Sequence, residues 1–310
     1  MLTPLFVVPL VLPFVLCLAT SRVSVWARPT AALWILTATT LVSAVACVVS
    51  LAALVLTGLF LVPGFARFSH FVRHLCTPSA HAAAGLAILA ACALAVGGLR
   101  FAQAAVRHGR TLRAAHRQVA RLPVVGDLCV VDSPRPDAYA LPGRPHRIVV
   151  TAGMLRSLEA TEREALFAHE RAHNAQRHHY FLTAAEIAAH CHPALRRVRS
   201  EIRLAAELAA DEAAARAVGD RKLVAVAVAR AALASHEAGP STRPYLTLGA
   251  ATGPVSRRVA TLLKPSTARR VSPVLAFLLA LAVLTSASAT VAAVLHLRHE
   301  VGEAQGLIPR

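Results

Sequence analysis

Long uncharged apolar runs lie at both ends of this chain and enclose one polar segment. A transmembrane helix needs about 20 consecutive apolar residues, and four runs without Asp, Glu, Lys or Arg reach that length. Three precede the polar segment and one follows it. The predicted spans are about 2–20, 33–60, 79–99 and 272–295. The pattern therefore predicts a mainly α membrane protein with four transmembrane helices and a folded domain over 100–271.

The polar segment begins with a helical pattern and then changes to a strand pattern. Apolar and basic positions alternate at helical spacing over 100–121, so the third span is predicted to continue as a helix. β-Branched runs over 122–132 and 147–151 predict two strands, joined by the Pro- and Gly-rich connection 133–145. We expect these strands to form a small antiparallel sheet.

The second half of the polar segment is predicted to be helical. Thr161, followed by Glu164, has the spacing of a capping box, and Gly219 is a helix stop signal. The apolar stretch 181–195 is too short to cross a bilayer alone, so we interpret it as a core helix or a membrane-dipping segment. Helices are predicted over 162–176, 200–218 and 221–236.

Composition and charge indicate where each part lies. The chain is 56% hydrophobic, has a mean hydropathy of +0.55 and carries a formal net charge of +17. Basic loops are retained on the cytoplasmic side, which places 100–271 and the loop with Arg22 and Arg28 there. The 63–78 loop and the short 296–310 tail are then extracytoplasmic. Aromatic residues are not interleaved with the basic ones, so the lipid bilayer is the expected partner of this charge and nucleic acid is not.

The sequence His169-Glu170-Arg171-Ala172-His173 carries the clearest chemical signal. On the predicted helix the two histidines project from one face, one turn apart, as two zinc ligands must. Glu170 lies beside them, where a general base would take a proton from the attacking water. The alternative interpretation is two surface histidines on an ordinary helix.

Acidic residues on a later helix complete the pattern. A catalytic zinc site needs a third protein ligand, and Glu207 offers one from a helix separate from the histidines. Asp211 falls one turn later on the same face, where its carboxylate would accept the free ring proton of a liganding histidine. The alternative is that Glu207, Asp211 and Glu212 form a solvated acidic face.

Successive blocks of the sequence resemble those of membrane-embedded gluzincin metallopeptidases. The blocks are Ala138-Tyr-Ala-Leu-Pro-Gly143, the strand 147–151, Gly153-Met-Leu155, the 169–173 motif and Glu207-Leu-Ala-Ala-Asp211-Glu212. Their order, with His192-Pro193 at the position of an Asn-Pro-like turn, is most similar to the BlaR/MecR-type sensor-transducer peptidases. The resemblance covers 122–264 and implies a zincin-like α+β domain in the cytoplasm of a multi-pass protein of the bacterial cell membrane.

The same resemblance implies residue roles and a function. His169, His173 and Glu207 would hold one Zn²⁺ per chain, Glu170 would be the catalytic base and acid, and Asp211 would support the ligands. The implied activity is a metalloendopeptidase of envelope signal transduction that cleaves a cytoplasmic regulator such as a BlaI/MecI-like transcriptional repressor. No extracellular penicillin-binding sensor domain is expected after the last span, since only 296–310 follow it.

Two other functions fit the same residues. One is membrane-protein quality control of the HtpX or CAAX-protease kind, which uses the same chemistry on different substrates. The other is a zinc-binding membrane sensor without proteolysis. A structural zinc site is closed by a fourth protein ligand, whereas three ligands and an open position favour catalysis.

Three smaller assignments stay open on the sequence alone. A second metal site at His178-His179 and His190-Cys191-His192 is disfavoured, because adjacent residues on a helix point in different directions. In zincins the edge strand holds the peptide, which by resemblance gives that task to Arg147, Ile148, Val149 and Val150. The group that stabilises the oxyanion is sought among His236, Tyr245, Arg257 and Arg258.

Overall fold

A computed structural model of the chain describes residues 3–59, 80–237 and 254–264. The predicted fourth span, the 63–78 loop, the 296–310 tail and Tyr245 lie outside these residues. The helices are α1 Thr3–Trp26, α2 Pro29–Leu59, α3 Ala80–Val119, α4 Ala152–Ser157, α5 Ala160–Ala175, α6 His178–Cys191, α7 Leu195–Val218, α8 Arg221–Glu237 and α9 Val255–Leu263. The strands are β1 Val124–Val125, β2 Leu128–Val131, β3 Ala138–Leu141 and β4 Arg147–Thr151.

The first three helices correspond to the first three predicted spans. Within the described residues, α2 and α3 contain segments long and apolar enough to cross a membrane, Pro29–Leu56 and Ala84–Val119. The apolar stretch found in α1, Val8–Leu18, is shorter. The continuation of the third span over 100–121 is confirmed, because α3 runs without a break to Val119.

The N-terminal helices pack against the polar domain. Leu33 and Leu36 of α2 share a buried cluster with Leu182 of α6 and Ile202 of α7. Trp34 of α2 also meets Phe181 edge to face, with ring centroids 4.8 Å apart. The segment 181–195 is therefore largely a core helix, α6, and α1 and α2 share one core with the helix that contains Glu207.

The sheet differs from the predicted one. Its strand order is β1-β2-β4-β3, with β2 parallel to β4 and the other two pairs antiparallel. The expected antiparallel sheet is thus a mixed one, and the connection 133–145 contains β3. The prediction that Arg147, Ile148, Val149 and Val150 form an edge strand was wrong, because β4 pairs on both sides. Among the described strands the edge beside β4 is β3.

Both faces of the sheet are covered. Tyr139 and Val149 pack against Ala115 and Val119 at the end of α3. On the other face, residues of β3 and β4 join a cluster formed by α4, α5 and α8, with Val150, Met154 and Leu166 among its members. Side chains of β4 point alternately to the two faces of the sheet, and Val150, on one of these faces, shares its cluster with Leu166 of α5.

Local signals account for the end of α7 and the start of α5. Gly219 has a left-handed φ of 79° and donates its N–H to the carbonyl of Ala215, which ends α7 as predicted. The start of α5 differs from prediction by two residues. Its N-cap is Glu159, whose N–H donates to the carboxylate of Glu162 at 2.9 Å, so the capping box is formed by this pair and not by Thr161 and Glu164.

Candidate metal centre

The predicted site residues meet where α5 crosses α7. His169 and His173 lie on the buried face of α5, and Glu207 lies midway along α7. One ligand atom from each of the three lies within 4.8 Å of the others. The side chains of His169 and Glu207 are 1% and 0% exposed, so the alternatives of surface histidines and a solvated acidic face are excluded for these residues.

Polar contacts to the sheet fix α5 beside β4. The side-chain amide of Asn174 donates to the carbonyl of Arg147 at 3.2 Å. Arg171, on the opposite face of the helix from the site, forms a bidentate pair with Asp127 at 2.7 and 2.8 Å. These contacts fix the rotation of α5 about its own axis, so that both histidines point toward α7.

The three candidate ligand atoms face one another directly. Nε2 of His169 lies 3.0 Å from Nε2 of His173 and 3.4 Å from Oε2 of Glu207. Two imidazole nitrogens and one carboxylate oxygen form a donor set that suits a divalent transition metal. Within the described residues, this is the group of His, Cys, Asp and Glu side chains whose geometry could hold a metal ion.

Asp211 sets the orientation of His169. Its Oδ1 lies 2.9 Å from Nδ1 of His169, which favours a proton on Nδ1 and, when the ring is neutral, leaves the lone pair of Nε2 for the cluster. Burial opposes protonation of His169, but hydrogen bonds with Asp211 and Glu207 outweigh it and raise the pKa of this histidine to about 9. The site therefore favours positive charge at this position.

His178 plays the equivalent role for His173, although the sequence had pointed to it only as part of a disfavoured second metal site. The Nδ1 atoms of the two rings are 2.7 Å apart, and Nε2 of His178 lies 3.3 Å from Oε1 of Gln176. Because an amide oxygen only accepts, Nε2 of His178 carries the proton and its Nδ1 accepts from His173. Burial lowers the pKa of His178 to about 4, which keeps it neutral.

With neutral rings, each facing nitrogen would offer a lone pair. Nδ1 of His169 lies beside Asp211 and Nδ1 of His173 beside His178, so both Nε2 atoms point into the space that Glu207 also faces. Three such atoms at short range repel one another unless a positive charge lies among them, either the extra proton that the raised pKa of His169 indicates or a metal ion that takes its place. The residues present therefore fit a bound metal ion.

Arg258 is the fourth buried charge at the site. Its guanidinium donates to both carboxylate oxygens of Asp211, at 2.8 and 2.6 Å, and lies 2.9 Å from Oε2 of Glu207. Although burial raises the pKa of Asp211, the charge and hydrogen bonds of Arg258 dominate and lower it to about 2. Arg258 thus keeps Asp211 ionised and joins α9 to α7.

Carboxylates outnumber the arginine among the described buried residues of the site. Glu170, Glu207 and Asp211 contribute three carboxylates, Arg258 contributes one positive charge, and all four are at most 1% exposed. With neutral histidines these four groups sum to minus two. A divalent cation in place of the extra proton on His169 would balance that sum, and burial of unbalanced charge is costly.

Other candidates from the sequence lie elsewhere. Of the oxyanion candidates, Arg258 is at the cluster, Arg257 pairs with Glu201, and His236 is exposed near the end of α8. The second metal site is not formed by the described residues, because His178 is hydrogen-bonded to His173 and Nδ1 of His190 contacts the carbonyl of Glu186.

A comparison with protein families identifies the same region. A model of Peptidase family M48 matches residues 102–197. The matched range contains His169, Glu170 and His173 and ends before Glu207, so the match does not include the third candidate ligand. The match supports a metallopeptidase domain of a membrane-type, metal-dependent family, without indicating the BlaR/MecR type. No curated protein and no solved structure matches the chain.

Proposed function

We propose that this chain is a membrane-bound zinc metalloendopeptidase of the gluzincin type, with its active site between α5 and α7. The observation that supports it best is the convergence of three buried lone-pair donors, from His169, His173 and Glu207, within 4.8 Å. The 102–197 family match supports the peptidase class independently. The metal proposed is zinc, since two imidazoles and a carboxylate with an open fourth position are a catalytic zinc set.

Each side chain of the proposed active site would have a distinct role. A bound zinc ion would act as a Lewis acid toward the peptide carbonyl and the attacking water. Glu170 is next in sequence to His169 and fully buried, so it would take a proton from the water and return it to the leaving amine. Asp211 and His178 would hold the two histidine rings, and Arg258 would hold the two acids of α7.

The physiological substrate proposed first is a cytoplasmic regulator, such as a BlaI/MecI-like repressor, cleaved in envelope signal transduction. This proposal rests on the motif order shared with the BlaR/MecR-type peptidases. Quality control of the HtpX or CAAX-protease kind is the second candidate, since the M48 match supports a membrane peptidase without singling out a signalling type. Comparing proteomes of cells that contain the native chain or Glu170→Gln would show whether a repressor or many membrane proteins accumulate.

Glu170→Gln separates catalysis from metal binding. Glutamine keeps the size of the side chain and removes the base, so the variant should retain zinc and lose about 10²- to 10⁴-fold in peptide cleavage. The matched control is Glu164→Gln on the exposed face of α5, which should cleave normally. Full signalling by Glu170→Gln in cells, together with loss of signalling on zinc removal, would replace the peptidase with a non-proteolytic zinc sensor.

The cytoplasmic location of the domain is part of the proposal and has its own test. Reporter fusions should show a cytoplasmic reporter active after about residue 239 and an external reporter active at the C-terminus. The reverse pattern would invert the topology while leaving the metal site unaffected.

A further inference from the structure

Two contiguous cavities lie between α3 and α6, apart from the metal centre. One has a volume of about 530 Å³ and the other about 420 Å³. They share His108 and Thr183 in their walls, so together they form one groove. No candidate metal ligand lines it, and both volumes are in the range of small-molecule sites.

One end of the groove is basic. Its wall contains Arg144, His146, Arg177 and His179, and none of the residues that line this end is acidic. Burial lowers the pKa of His179, and the neighbouring His146 and Arg177 lower it further, so the permanent positive charge at this end comes from Arg144 and Arg177. Such a cluster attracts an anion. Two guanidinium groups favour phosphate, whose oxygens accept paired N–H donors.

The other end is predominantly apolar. Phe101, Ala104 and Ala105 of α3 face Ile187 of α6 across it. The acidic side chain in this wall, Glu186, is paired with Arg199 at 2.9 Å, so it does not set up a negative field of its own. An apolar group that fills this end would remove exposed hydrocarbon from water.

The order of the two ends along α3 matches the order of a lipid in a bilayer. The apolar wall begins on α3 with Phe101, Ala104 and Ala105, next to the apolar run that ends near residue 99, and continues to Thr111, whereas the basic end uses His108 and Leu112. We propose that the groove binds an anionic amphiphile with a phosphate headgroup, whose hydrocarbon tail lies on Phe101, Ala104 and Ile187 and whose phosphate lies against Arg144 and Arg177.

The groove adjoins the metal centre without sharing its ligands. Arg177 and His179 flank His178, whose ring is hydrogen-bonded to His173. Lipid binding should nevertheless be independent of the metal, because the groove and the cluster of His169, His173 and Glu207 share no residue. Failure of the metallopeptidase proposal and failure of this one can therefore be told apart.

The test uses the full chain in a neutral detergent, titrated with fluorescent phosphatidylglycerol or phosphatidylcholine. Phosphatidylglycerol should bind more tightly, and Arg144→Gln should weaken its binding about fivefold, the effect of one basic group beside an anionic lipid. Arg216→Gln, an exposed arginine at the far end of α7, should leave binding unchanged. Because Arg144 is exposed in a loop, circular dichroism should show that the variant keeps its fold. Chelator treatment should leave binding unaltered.

A second pair of variants tests the apolar end. Ala105→Trp would fill it and should weaken phosphatidylglycerol binding, whereas Ala114→Trp, exposed on the same helix outside both cavities, should not. Decyl phosphate should compete far better than inorganic phosphate. Equal competition by decyl phosphate and inorganic phosphate would reveal a simple anion site and overturn the proposal. Equal binding of phosphatidylglycerol and phosphatidylcholine would overturn it too, as would normal phosphatidylglycerol binding by Ala105→Trp. Displacement by acidic peptides but not by decyl phosphate would assign the groove to a protein segment instead.

Discussion

Two histidine-rich regions meet at the junction of α5 and α6, and they have opposite electrostatic character. On one side, His169 and His173 are buried and face the carboxylates of Glu207 and Asp211. On the other, His146 and His179 line the basic end of the groove, which contains arginines and no acidic lining residue. Histidine alone thus specifies neither site. The charge and burial of its neighbours decide whether a cation or an anion is favoured.

The largest expected effect is loss of the metal ion from the metal centre, with lipid binding in the groove unaffected. Glu207→Ala removes a ligand that no other described side chain replaces, so zinc content should fall from about one per chain to nearly zero. Elemental analysis of the purified protein measures this. Glu201→Ala, earlier on α7, is the control and should retain zinc. If Glu207→Ala also abolished phosphatidylglycerol binding in the groove, the two regions would not be independent.

Arg258→Met should be the most destabilising change at the metal centre. It leaves Asp211 and Glu207 buried without their cationic partner, and breaking a buried pair costs about 3–5 kcal/mol. Unfolding of the chelator-treated protein in detergent measures the loss. Arg257→Met removes a half-exposed partner of Glu201 and should cost under about 1 kcal/mol. Similar losses for the two neighbours would contradict the network built on Arg258.

Asp211→Asn should have an intermediate effect on metal affinity. It weakens the hydrogen bond that orients His169, and changes of this kind cost about 10- to 100-fold in affinity or activity. Competition with a zinc chelator measures the affinity. Glu212→Gln, the next residue on α7, loses its pair with Arg221 instead and should bind zinc normally. Unaltered zinc affinity in Asp211→Asn would remove Asp211 from the support of the site.

The smallest effect is expected at the exposed pair that holds α5 to the β1–β2 turn. Hydrogen bonds from Arg171 lower the pKa of Asp127, so the pair stabilises the fold at neutral pH, and this contribution is lost as the pH falls below about 4. Solvent screening limits it to under about 1 kcal/mol. Arg171→Gln should therefore unfold slightly more easily at pH 7, and the difference from the native chain should shrink as the pH falls below about 4. A larger penalty at pH 3 than at pH 7 would reverse the assigned sign.

Features of the fold that depend on neighbouring residues were predicted from the sequence, whereas features that depend on contacts between distant residues were not. Gly219 ended α7 where expected, because a left-handed residue at a helix end is a local requirement. Strand β4 was identified, but its interior place was not, because pairing with β2 and β3 depends on residues far along the chain. β3 was missed within a Pro- and Gly-rich connection, since four buried residues show no alternation to detect.

The same division holds at the metal centre. Spacing alone put His169, Glu170 and His173 on one helical face, because the period of an α-helix is fixed by its backbone. A helix-based pattern could not reach His178, since the chain turns at Arg177 with a left-handed φ of 54° before α6 begins. Arg258 was one of four open candidates, and its place beside Asp211, 47 residues away in sequence, follows from the packing of α9 on α7.

By itself the sequence determined the uncharged runs, the helix that contains the two histidines, and the chemical type of the ligands. Each of these depends on neighbours within a few residues, where backbone geometry and composition are decisive. Tertiary structure decided which acid faces the histidines and which groups position the protons on their rings. It also brought basic and apolar walls from α3, α6 and the 142–146 loop together around one groove. These depend on how separate elements pack, because close packing, and not sequence distance, sets which buried charges must compensate one another.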